Sequence, residues 1–448
     1  MLFRSNLIID DKMKIGFISL GCAKNLVDSE MILSILENAG CEIVQDPEDS
    51  DVIFVNTCGF IEPAKMEAIE TIEEMHTYGK KMIVVGCYAE RYREKLLKEH
   101  SYIDRVITLA EYPKIHLILN EIFQKDGLKF MPLKYENRLL ATSQFSPYVK
   151  IGEGCNNNCT YCAIPLIRGK FRSRNFDEVV LECKKLVMSG AKEINLISQD
   201  TTRFGRDLNP EKRSLLPDLL KEVSKIDGIK MVRFLYLYPD EVTDELLIEV
   251  KNNPLVVPYF DIPIQHISSR VLKQMNRRGD EEFLKNLFKK IRQVIPHAIL
   301  RTTYIVGFPG ENEEDFEKLY KFTEEVEFDR LGVFVYSKEE DTAAYNFTDE
   351  VPEEIAQDRL ERIMKLQKKI SRKKNKAEQG KIHQTLVENY DPETKFYYGR
   401  SYAFAPDDID GMIVFQSEQA LEIGDFVNVK ITTAYGYDLI GDFYGVIE

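Results

Sequence analysis

The sequence predicts an α/β protein with three domains: an open parallel α/β sheet, a partial (β/α)6 TIM-like barrel and a small OB-like antiparallel β-barrel. Apolar strands alternate with amphipathic helices over residues 13–125 and again over residues 141–379, as is typical of parallel sheets covered by helices. Over residues 380–448 the pattern changes to short strands separated by turn residues, which indicates the small barrel. A chain of 448 residues is also too long for one ordinary core.

The first domain contains three predicted strands, each followed by a helical pattern. The strands are predicted at 13–20, 51–56 and 81–86. Helical spacing follows the first strand through residues 32–36 and ends at Gly40, and the other two helices are predicted near 63–75 and 89–98. Cys22, Cys58 and Cys87 each come just after the end of a strand. Because the carboxyl ends of parallel strands lie side by side in an open sheet, we expect these three thiols to converge.

The second domain follows a connection at residues 126–145 and alternates six predicted strands with helices. The strands are predicted at 147–152, 193–199, 230–238, 259–265, 299–308 and 330–337, and the helices at 176–189, 214–226, 241–252, 269–294 and 312–326. Six βα units predict a barrel that is incomplete relative to the eight-fold form. Cys155, Cys159 and Cys162 follow the first of these strands, on the face where such barrels carry their chemistry.

The third domain is preceded by a predicted helix at 351–379 that has a basic end. Five short strands are predicted at 385–388, 396–400, 411–414, 425–431 and 441–446. Twelve acidic and four basic residues give residues 380–448 a net charge of −8, which should repel a phosphate backbone and suit a basic protein partner. The basic end of the helix leaves two interpretations open, a solvated face or a contact with RNA near the substrate.

Composition and charge exclude several other classes of protein. The net charge of −14 argues against a general nucleic-acid binder, and no apolar run has membrane-spanning length. Residues 1–12 have too short an apolar stretch for a signal peptide and are interpreted as an extension or an upstream start, so we expect a cytoplasmic protein. In that reducing compartment, the grouped cysteines among the eight are expected to hold metal rather than form disulfides.

The spacing of Cys155, Cys159 and Cys162 places three thiolates within eight residues. A loop that short can hold one cubane iron–sulfur cluster and leave its fourth iron free. Structural zinc usually has four ligands, often as two CxxC pairs, and no partner pair is nearby. Since Cys22, Cys58 and Cys87 also number only three, iron–sulfur is favoured over zinc at both places.

The remaining cysteines and the histidines give weaker signals. Cys41 and Cys183 lie outside both sets, and we expect them to be buried as small hydrophobic residues. His266, at the end of the fourth barrel strand, is the only histidine expected at the catalytic rim. The glycine-rich segment 307–311 is either a plain turn or a place where the backbone approaches a nucleoside.

With these motifs, nearly the whole chain resembles a known family. CxxxCxxC after the first barrel strand resembles the radical S-adenosylmethionine superfamily, and the preceding three-cysteine domain with a TRAM-like terminal barrel resembles its methylthiotransferases. Segments 19–30, 164–169, 198–202 and 336–342 are similar to the RimO-type branch, which modifies an aspartate of ribosomal protein uS12. The tRNA-modifying branch typically reads Gly-Cys-Gln-Met-Asn at the first cysteine, where this chain reads Gly-Cys-Ala-Lys-Asn. Asp341 stands where glycine is commoner.

This resemblance implies two 4Fe–4S clusters and S-adenosylmethionine as cofactors. The cluster on the CxxxCxxC motif would pass an electron to S-adenosylmethionine, and the resulting 5′-deoxyadenosyl radical would take a hydrogen from the aspartate β-carbon, which acid–base chemistry cannot activate at pH 7. The cluster on Cys22, Cys58 and Cys87 would supply sulfur, and a second S-adenosylmethionine the methyl group. By barrel position, the candidates to hold the cofactor are Tyr161, Gln199, Gln265 and Arg301, the last through the methionine carboxylate.

The resemblance also implies partners and leaves three alternatives. The partners would be a basic ribosomal protein of the small subunit, free or within the ribosome, and a reductant such as flavodoxin or ferredoxin, with any nucleic-acid contact secondary and no membrane. The first alternative, a tRNA adenosine methylthiotransferase, is opposed by the first-cysteine motif and the acidic barrel. A non-catalytic iron–sulfur protein would release no 5′-deoxyadenosine, and a zinc-binding structural protein would contain zinc in place of iron.

Overall fold

The structure, a computed structural model, describes residues 12–124, 127–132 and 134–446 and divides into two compact units. The first unit runs through Ala141 and also includes Leu166–Arg168, and the second comprises Thr142–Pro165 and the chain from Gly169 onwards. Within the described ranges, no helix is both long and apolar enough to cross a membrane. The interpretation of residues 1–12 as an extension falls, apart from Lys12, outside the described residues.

The first unit is built on a five-stranded parallel sheet with the order β2-β1-β3-β4-β5. Its elements are β1 (Lys14–Ser19), α1 (Ala23–Asn38), β2 (Glu42–Val44), β3 (Val52–Thr57), α2 (Glu62–His76), β4 (Lys81–Gly86), α3 (Cys87–Glu99), β5 (Arg105–Ile107) and α4 (Ile115–Ile122). β3 is buried along its whole length and β4 beyond its first residue, as expected of central parallel strands with helices on both faces. The predicted open α/β sheet is therefore confirmed, with β2 and β5 as two further short strands at its edges.

The second unit begins with the barrel, whose six predicted strands are all present as parallel strands. Its elements are β6 (Tyr148–Lys150), β7 (Gly152–Glu153), α5 (Ile164–Arg168, whose last three residues belong to the first unit), β8 (Arg172–Ser173), α6 (Phe176–Met188), β9 (Glu193–Ile197), α7 (Leu216–Val223), β10 (Met231–Phe234), α8 (Asp244–Asn252), β11 (Tyr259–Asp261), α9 (Ser269–Gln274), α10 (Glu281–Val294), β12 (Ile299–Val306), α11 (Glu313–Val326), β13 (Arg330–Val335) and α12 (Glu353–Lys376). The strands form two ladders, β10-β9-β6 and β11-β12-β13. Between the two ladders, Leu237 N, in the segment after β10, donates to the carbonyl oxygen of Asp261, the last residue of β11, over 2.8 Å.

One predicted helix is wrong in its extent. The helix expected at 269–294 is two helices, α9 and α10, because the chain leaves helical geometry between them. Asn276 and Gly279 in this break have positive φ angles of 53° and 90°, which an α-helix excludes. The break places Arg277 and Arg278 at the mouth of the barrel, where both contact the cysteine loop described below.

The second unit ends in the predicted five-stranded barrel, which is closed. Its strands are β14 (Ile382–Asp391), β15 (Phe396–Arg400), β16 (Ile413–Gln416), β17 (Phe426–Tyr435) and β18 (Asp438–Val446), in the order β14-β15-β16-β18-β17. The prediction of an antiparallel barrel holds for every pair except β16 and β18, which are parallel. An odd number of strands cannot close into a ring with every neighbouring pair antiparallel, so one parallel pair is a geometric necessity.

Within the second unit, buried charges join the small barrel to the amino ends of the larger barrel's strands. Arg400 of β15 donates to Glu193 at the start of β9 over 2.6 Å, and Arg233 of β10 donates to the same carboxylate over 2.8 Å. All three side chains are inaccessible to solvent. Tyr259 of β11 donates to Asp410, which lies in the connection between β15 and β16. This contact covers the end of the larger barrel that is opposite the cysteine loop.

Candidate iron–sulfur and cofactor sites

The three cysteines of the first unit lie at the carboxyl ends of β1, β3 and β4, as predicted. Cys22 precedes α1, Cys58 follows β3, and Cys87 begins α3. Gly21 has a φ angle of +89°, and a Cβ atom there would come within 2.9 Å of the Cys58 Cβ, so the turn before Cys22 lies directly against Cys58. A Cβ atom at Gly59, the residue after Cys58, would come within 3.1 Å of the Cys87 carbonyl carbon, and the charges of Cys22 and Cys58 both raise the pKa of Cys87. The structure therefore brings the three residues together.

Arg168 supplies a buried positive charge to this group of thiols. Its guanidinium donates to the Cys87 sulfur over 3.2 Å, to Asn25 Oδ1 over 2.6 Å and to Asp28 Oδ2 over 3.0 Å. Asn25 is itself fixed by a 2.9 Å bond from its Nδ2 to the Thr57 carbonyl oxygen. Sequence reasoning gave Arg168 no role at this site, although it lies in the segment 164–169 that carries part of the family resemblance.

The surroundings give the three thiols different acidities. Burial raises the pKa of Cys87 to about 12, with the charge of Arg168 opposing it and those of Cys22 and Cys58 adding to it, and burial also raises the pKa of Cys58. Desolvation raises the pKa of Cys22 too, but the charges of Lys24 and Arg168 and backbone hydrogen bonds outweigh it, so this pKa is lowered. Cys22 is therefore the thiol that ionises most readily.

The cysteines of the barrel, Cys155, Cys159 and Cys162, lie on the loop that follows β7. Its path is fixed by hydrogen bonds from Cys155 N to Gly169 O (3.1 Å) and from Cys162 N to Cys159 O (3.0 Å). Gly154 precedes the loop with a φ angle of +81°, and a Cβ atom there would come within 2.4 Å of the Lys170 carbonyl oxygen. Only glycine fits this position, because the Cβ atom of any other residue would collide with the backbone of Lys170.

Polar side chains surround the sulfur atoms of this loop. Asn157 Nδ2 lies 3.4 Å from the Cys155 sulfur and donates to Asp200 over 2.8 Å. Arg277 Nη1 lies 3.8 Å from the Cys159 sulfur and donates to the Tyr161 hydroxyl over 3.2 Å. Burial raises the pKa of Cys155 to about 11 and raises that of Cys162 further. Sequence reasoning gave Arg277 no role, because it fell inside the helix predicted at 269–294.

Three of the four predicted cofactor residues lie beside this loop or at the adjoining strand ends. Gln199 accepts from Gly154 N and donates to Glu153, each over 2.9 Å. Tyr161 is part of the loop itself. Gln265 has a positive φ angle of 70°, and its buried Oε1 has no hydrogen-bond partner in the part of the chain that the structure describes. A buried amide oxygen without a partner fits a site that a polar ligand completes.

Arg301, the fourth candidate, is placed elsewhere. Its guanidinium lies 3.3 Å from Asp261 and 3.6 Å from Asp410, and Asp410 belongs to the connection that covers the amino ends of the strands. Arg301 is the third residue of β12, so it lies toward the end opposite the cysteine loop. Two carboxylates of the protein therefore lie beside Arg301, and its pairing with a cofactor carboxylate stays a prediction.

The other residues singled out in the sequence are also accounted for. Cys41 and Cys183 are buried, as predicted. His266 is completely buried, accepts from Ser268 N at Nδ1 over 2.9 Å, and has its Nε2 3.7 Å from Glu311 Oε1. It is thus a residue of the barrel wall. The turn at Gly307 and Gly310 has positive φ angles of 71° and 81°.

Both sets of thiols offer the soft sulfur donors that iron–sulfur clusters take. Among the described residues, no three His, Cys, Asp or Glu side chains surround one point at which a metal ion would be held. In a 4Fe–4S cluster each cysteine binds a different iron, so its ligands lie farther apart than those of one zinc ion. Three soft sulfur donors next to a buried guanidinium, Arg168 in the first unit and Arg277 in the second, suit an anionic cluster.

Comparison with family models divides the chain into three matched regions. Residues 14–108 match the model of the Uncharacterized protein family UPF0004, residues 149–323 match the Radical SAM superfamily, and residues 380–443 match the TRAM domain. Each region falls within one of the three domains expected from the sequence.

Curated relatives are similar to the chain over nearly its full length. A protein of Aquifex aeolicus named "Ribosomal protein uS12 methylthiotransferase RimO" is 49% identical over 430 residues, covering 96% of this chain and 97% of the relative. The protein of the same name from Acetivibrio thermocellus is 46% identical over 449 residues, covering 96% of this chain and 98% of the relative.

Solved structures of lower similarity support the fold alone. The radical S-adenosylmethionine methyltransferase TsrM from Kitasatospora setae has a TM-score of 0.53 at 13% identity and covers 72% of each chain. The cobalamin-dependent radical enzyme OxsB has a TM-score of 0.50 at 11% identity and covers 79% of this chain and 56% of its own.

Proposed function

The chain belongs to the family of ribosomal protein uS12 methylthiotransferases, and from that membership we propose that it adds a methylthio group to the β-carbon of an aspartate in uS12. It is a radical S-adenosylmethionine enzyme, which uses S-adenosylmethionine and a 4Fe–4S cluster. The observation that carries the proposal is the convergence of Cys22, Cys58 and Cys87 beside Arg168, in addition to the cysteine loop of the barrel. A radical enzyme that also transfers sulfur needs a place to hold it.

We assign the first cluster to Cys155, Cys159 and Cys162. Together with S-adenosylmethionine it supplies a radical able to take hydrogen from an unactivated carbon. Gln199 bonds to the backbone just before Cys155 and so orients the loop. Arg277 holds Tyr161 and places its positive charge near the Cys159 sulfur, where it would stabilise an anionic cluster. Gln265 presents its unpartnered amide oxygen as an acceptor for a donor group of the bound cofactor.

We assign a second 4Fe–4S cluster, as the source of the sulfur, to Cys22, Cys58 and Cys87. Arg168 offsets the negative charge that three thiolates bring to a partly buried site. Asp28 is itself buried and pairs with the guanidinium of Arg168. This ion pair holds the guanidinium in its orientation toward the thiols. Cys22, whose pKa is lowered, is the first thiolate available for binding.

The partner proposed for this activity is a basic protein. Glu393, Glu418, Glu422 and Asp442 of the small barrel are exposed and give it an acidic surface. Such a surface attracts a basic ribosomal protein and steers its approach. Electrons would come from a small redox protein such as a flavodoxin or ferredoxin.

The proposal is tested by mass spectrometry after anaerobic reconstitution with iron and sulfide. The enzyme is incubated with reductant, S-adenosylmethionine and either purified uS12 or tRNA. We expect a methylthio group on one aspartate of uS12 and release of 5′-deoxyadenosine. Modification of tRNA alone would favour the tRNA-modifying alternative, and no 5′-deoxyadenosine would favour a non-catalytic protein.

A matched pair of variants separates the two sites. Substituting all three of Cys22, Cys58 and Cys87 by alanine should abolish methylthio transfer but leave cleavage of S-adenosylmethionine intact. Substituting Cys155, Cys159 and Cys162 should abolish both. If the first variant still transfers sulfur to uS12, the role assigned to the first unit is wrong.

A further inference from the structure

A positively charged groove in the second unit is not used by the proposed reaction. It has a volume of about 540 Å³ and lies between the end of α12 and the hairpin formed by β17 and β18. Lys368, Arg372, Lys376 and Gln379 line it on the helix side, and residues 433–436 line it on the hairpin side. All three cationic side chains are exposed, on a chain whose net charge is −14.

The basic end of α12 divides into two groups with different partners. Lys373 is paired with Glu327 over 2.6 Å, and Lys374 with Asp329 over 2.7 Å. By contrast, Lys368, Arg372 and Lys376 have no ion pair or side-chain hydrogen bond in the described ranges. The first group therefore attaches the helix to the barrel, and the second group has its charge available for a ligand.

The three unpaired cations form a regular row. They are spaced four residues apart, so they lie on one face of the helix with about 6 Å of rise between neighbours. A basic last turn is commonly a complement to the helix dipole, but Lys368 lies two turns before the end of α12, beyond the reach of that effect. The row thus needs another explanation.

Nearby acidic groups do not neutralise the row. Glu378 accepts from Lys381 over 2.8 Å and lies 3.0 Å from His383 Nε2. Asp438, at the start of β18, accepts from Met412 N over 2.9 Å. Both carboxylates are therefore directed toward other groups, and the groove keeps a positive potential.

The opposite wall of the groove carries an exposed aromatic ring. Tyr435, the last residue of β17, is 78% exposed, although large aromatic side chains are normally buried in part. Asn375 of α12 donates to the Tyr437 carbonyl oxygen over 3.1 Å, which fixes the hairpin against the helix. Cations along a groove beside an exposed ring are the combination that binds single-stranded nucleic acids, through phosphate contacts and base stacking.

We propose that this groove binds a single-stranded segment of RNA, with phosphates on Lys368, Arg372 and Lys376 and a base stacked on Tyr435. The choice of RNA rests on the proposed function, because a ribosomal protein is found beside ribosomal RNA. A membrane surface fits less well, since binding to it requires an exposed apolar face rather than a groove. The enzyme would then contact its target with two surfaces, the acidic barrel for the basic protein and this groove for adjacent RNA.

The test is fluorescence anisotropy with the full-length enzyme and a labelled RNA of mixed sequence, about twelve nucleotides long. The groove variant Lys368→Gln/Arg372→Gln/Lys376→Gln should weaken binding at least tenfold, by rough estimate, at about 0.1 M salt. It should also reduce the slope of log affinity against log salt by about 2, since each phosphate contact on a single strand contributes about 0.7. Tyr435→Ala should weaken binding without changing that slope.

The matched control is Lys365→Gln/Lys369→Gln/Lys373→Gln, which removes the same charge at the same spacing from the neighbouring exposed face of α12. It should leave the salt slope near the wild-type value. Equal loss in both variants, or no RNA binding by the wild type, would overturn the proposal, as would binding to phosphatidylglycerol vesicles in place of RNA. Because the assay needs neither cofactor nor uS12, its failure would leave the methylthiotransferase proposal standing and is measured separately from it.

Discussion

Two arginines, Arg168 and Arg277, supply the positive charge at the two sets of thiols. Arg168 donates directly to the Cys87 sulfur, whereas Arg277 lies 3.8 Å from the Cys159 sulfur and holds Tyr161. Each arginine is almost completely buried, with 5% and 9% of its surface exposed. Since a buried positive charge acts in a medium of low dielectric, each should influence the charge state and potential of a bound cluster.

The first prediction concerns Arg168 and the reduction potential of the cluster assigned to the first unit. In a chain that lacks Cys155, Cys159 and Cys162, Arg168→Gln should lower that potential by tens of millivolts, where about 59 mV corresponds to a factor of ten. The reason is that the reduced cluster carries one more negative charge, which the guanidinium stabilises. Arg168→Lys, which keeps the charge, should shift the potential less. Equal potentials in all three proteins would contradict this role for Arg168.

Arg168→Gln should also reduce stability, because it leaves the buried Asp28 without its partner. Breaking a buried ion pair in this way costs about 3–5 kcal/mol. The double variant Asp28→Asn/Arg168→Gln should recover much of that loss in a urea titration, yet keep the lowered potential. The two measurements therefore distinguish an electrostatic role from a structural one.

At the scale of elements, the cysteine loop of the barrel depends on the glycine that precedes it. Gly154→Ala would place a methyl group 2.4 Å from the Lys170 carbonyl oxygen, so the loop must move. We expect this variant to bind about four irons in place of about eight and to release no 5′-deoxyadenosine.

The control for this prediction is Gly190→Ala. Gly190 also has a positive φ angle, +111°, but a Cβ atom there would meet nothing closer than 3.9 Å. It should cost only about 1 kcal/mol of stability, because of the backbone conformation, and keep full iron content. Iron analysis that finds no difference between the two variants would show that the close approach at Gly154 is unimportant.

The same scale shows what could be predicted from the sequence. The strands of the barrel and of the central sheet are apolar runs bounded by turns, and all of them occur where the pattern placed them. β2 and β5 have three residues each, which is too short for periodicity to detect. The break between α9 and α10 was missed although the sequence marks it: residues 276–282 contain no apolar side chain, and Gly279 is followed by Asp280, which caps α10.

Those residues of the candidate sites that directly follow a strand could be predicted from the sequence. The six cysteines all follow strands, so strand order was enough to group them. Arg168 and Arg277 reach the thiols through tertiary packing, which no local pattern encodes. The neighbours of Arg301 could not be predicted from its position in the strand, because Asp410 reaches it from a distant segment of the chain.

At the scale of the whole molecule, the second unit depends on the buried group of Glu193, Arg233 and Arg400. Burial alone would raise the pKa of Glu193, but the charges of Arg400 and Arg233 outweigh it and lower the pKa to about 2. A carboxylate with a lowered pKa contributes stability above its ordinary pKa of 4.5, and this contribution is lost as the pH falls from there toward 2.

The corresponding prediction compares the iron-free wild type with Glu193→Gln by urea unfolding at several pH values. The variant should be less stable at pH 7, because it leaves two buried guanidinium groups without their shared carboxylate. The difference in unfolding free energy should shrink as the pH falls from 4.5 toward 2, since Glu193 takes up a proton in the unfolded wild type over this range while the folded protein keeps it ionised. A difference that does not depend on pH would contradict this account.

The central claim is that the chain holds two clusters, one on each set of three thiols. Iron and acid-labile sulfide analysis of the anaerobically reconstituted protein, with Mössbauer spectra, tests it most directly. We predict about eight irons per chain in the wild type and about four in each of two variants, one lacking Cys22, Cys58 and Cys87 and one lacking Cys155, Cys159 and Cys162. A wild type with about four irons, or a triple variant that retains all eight, would contradict it.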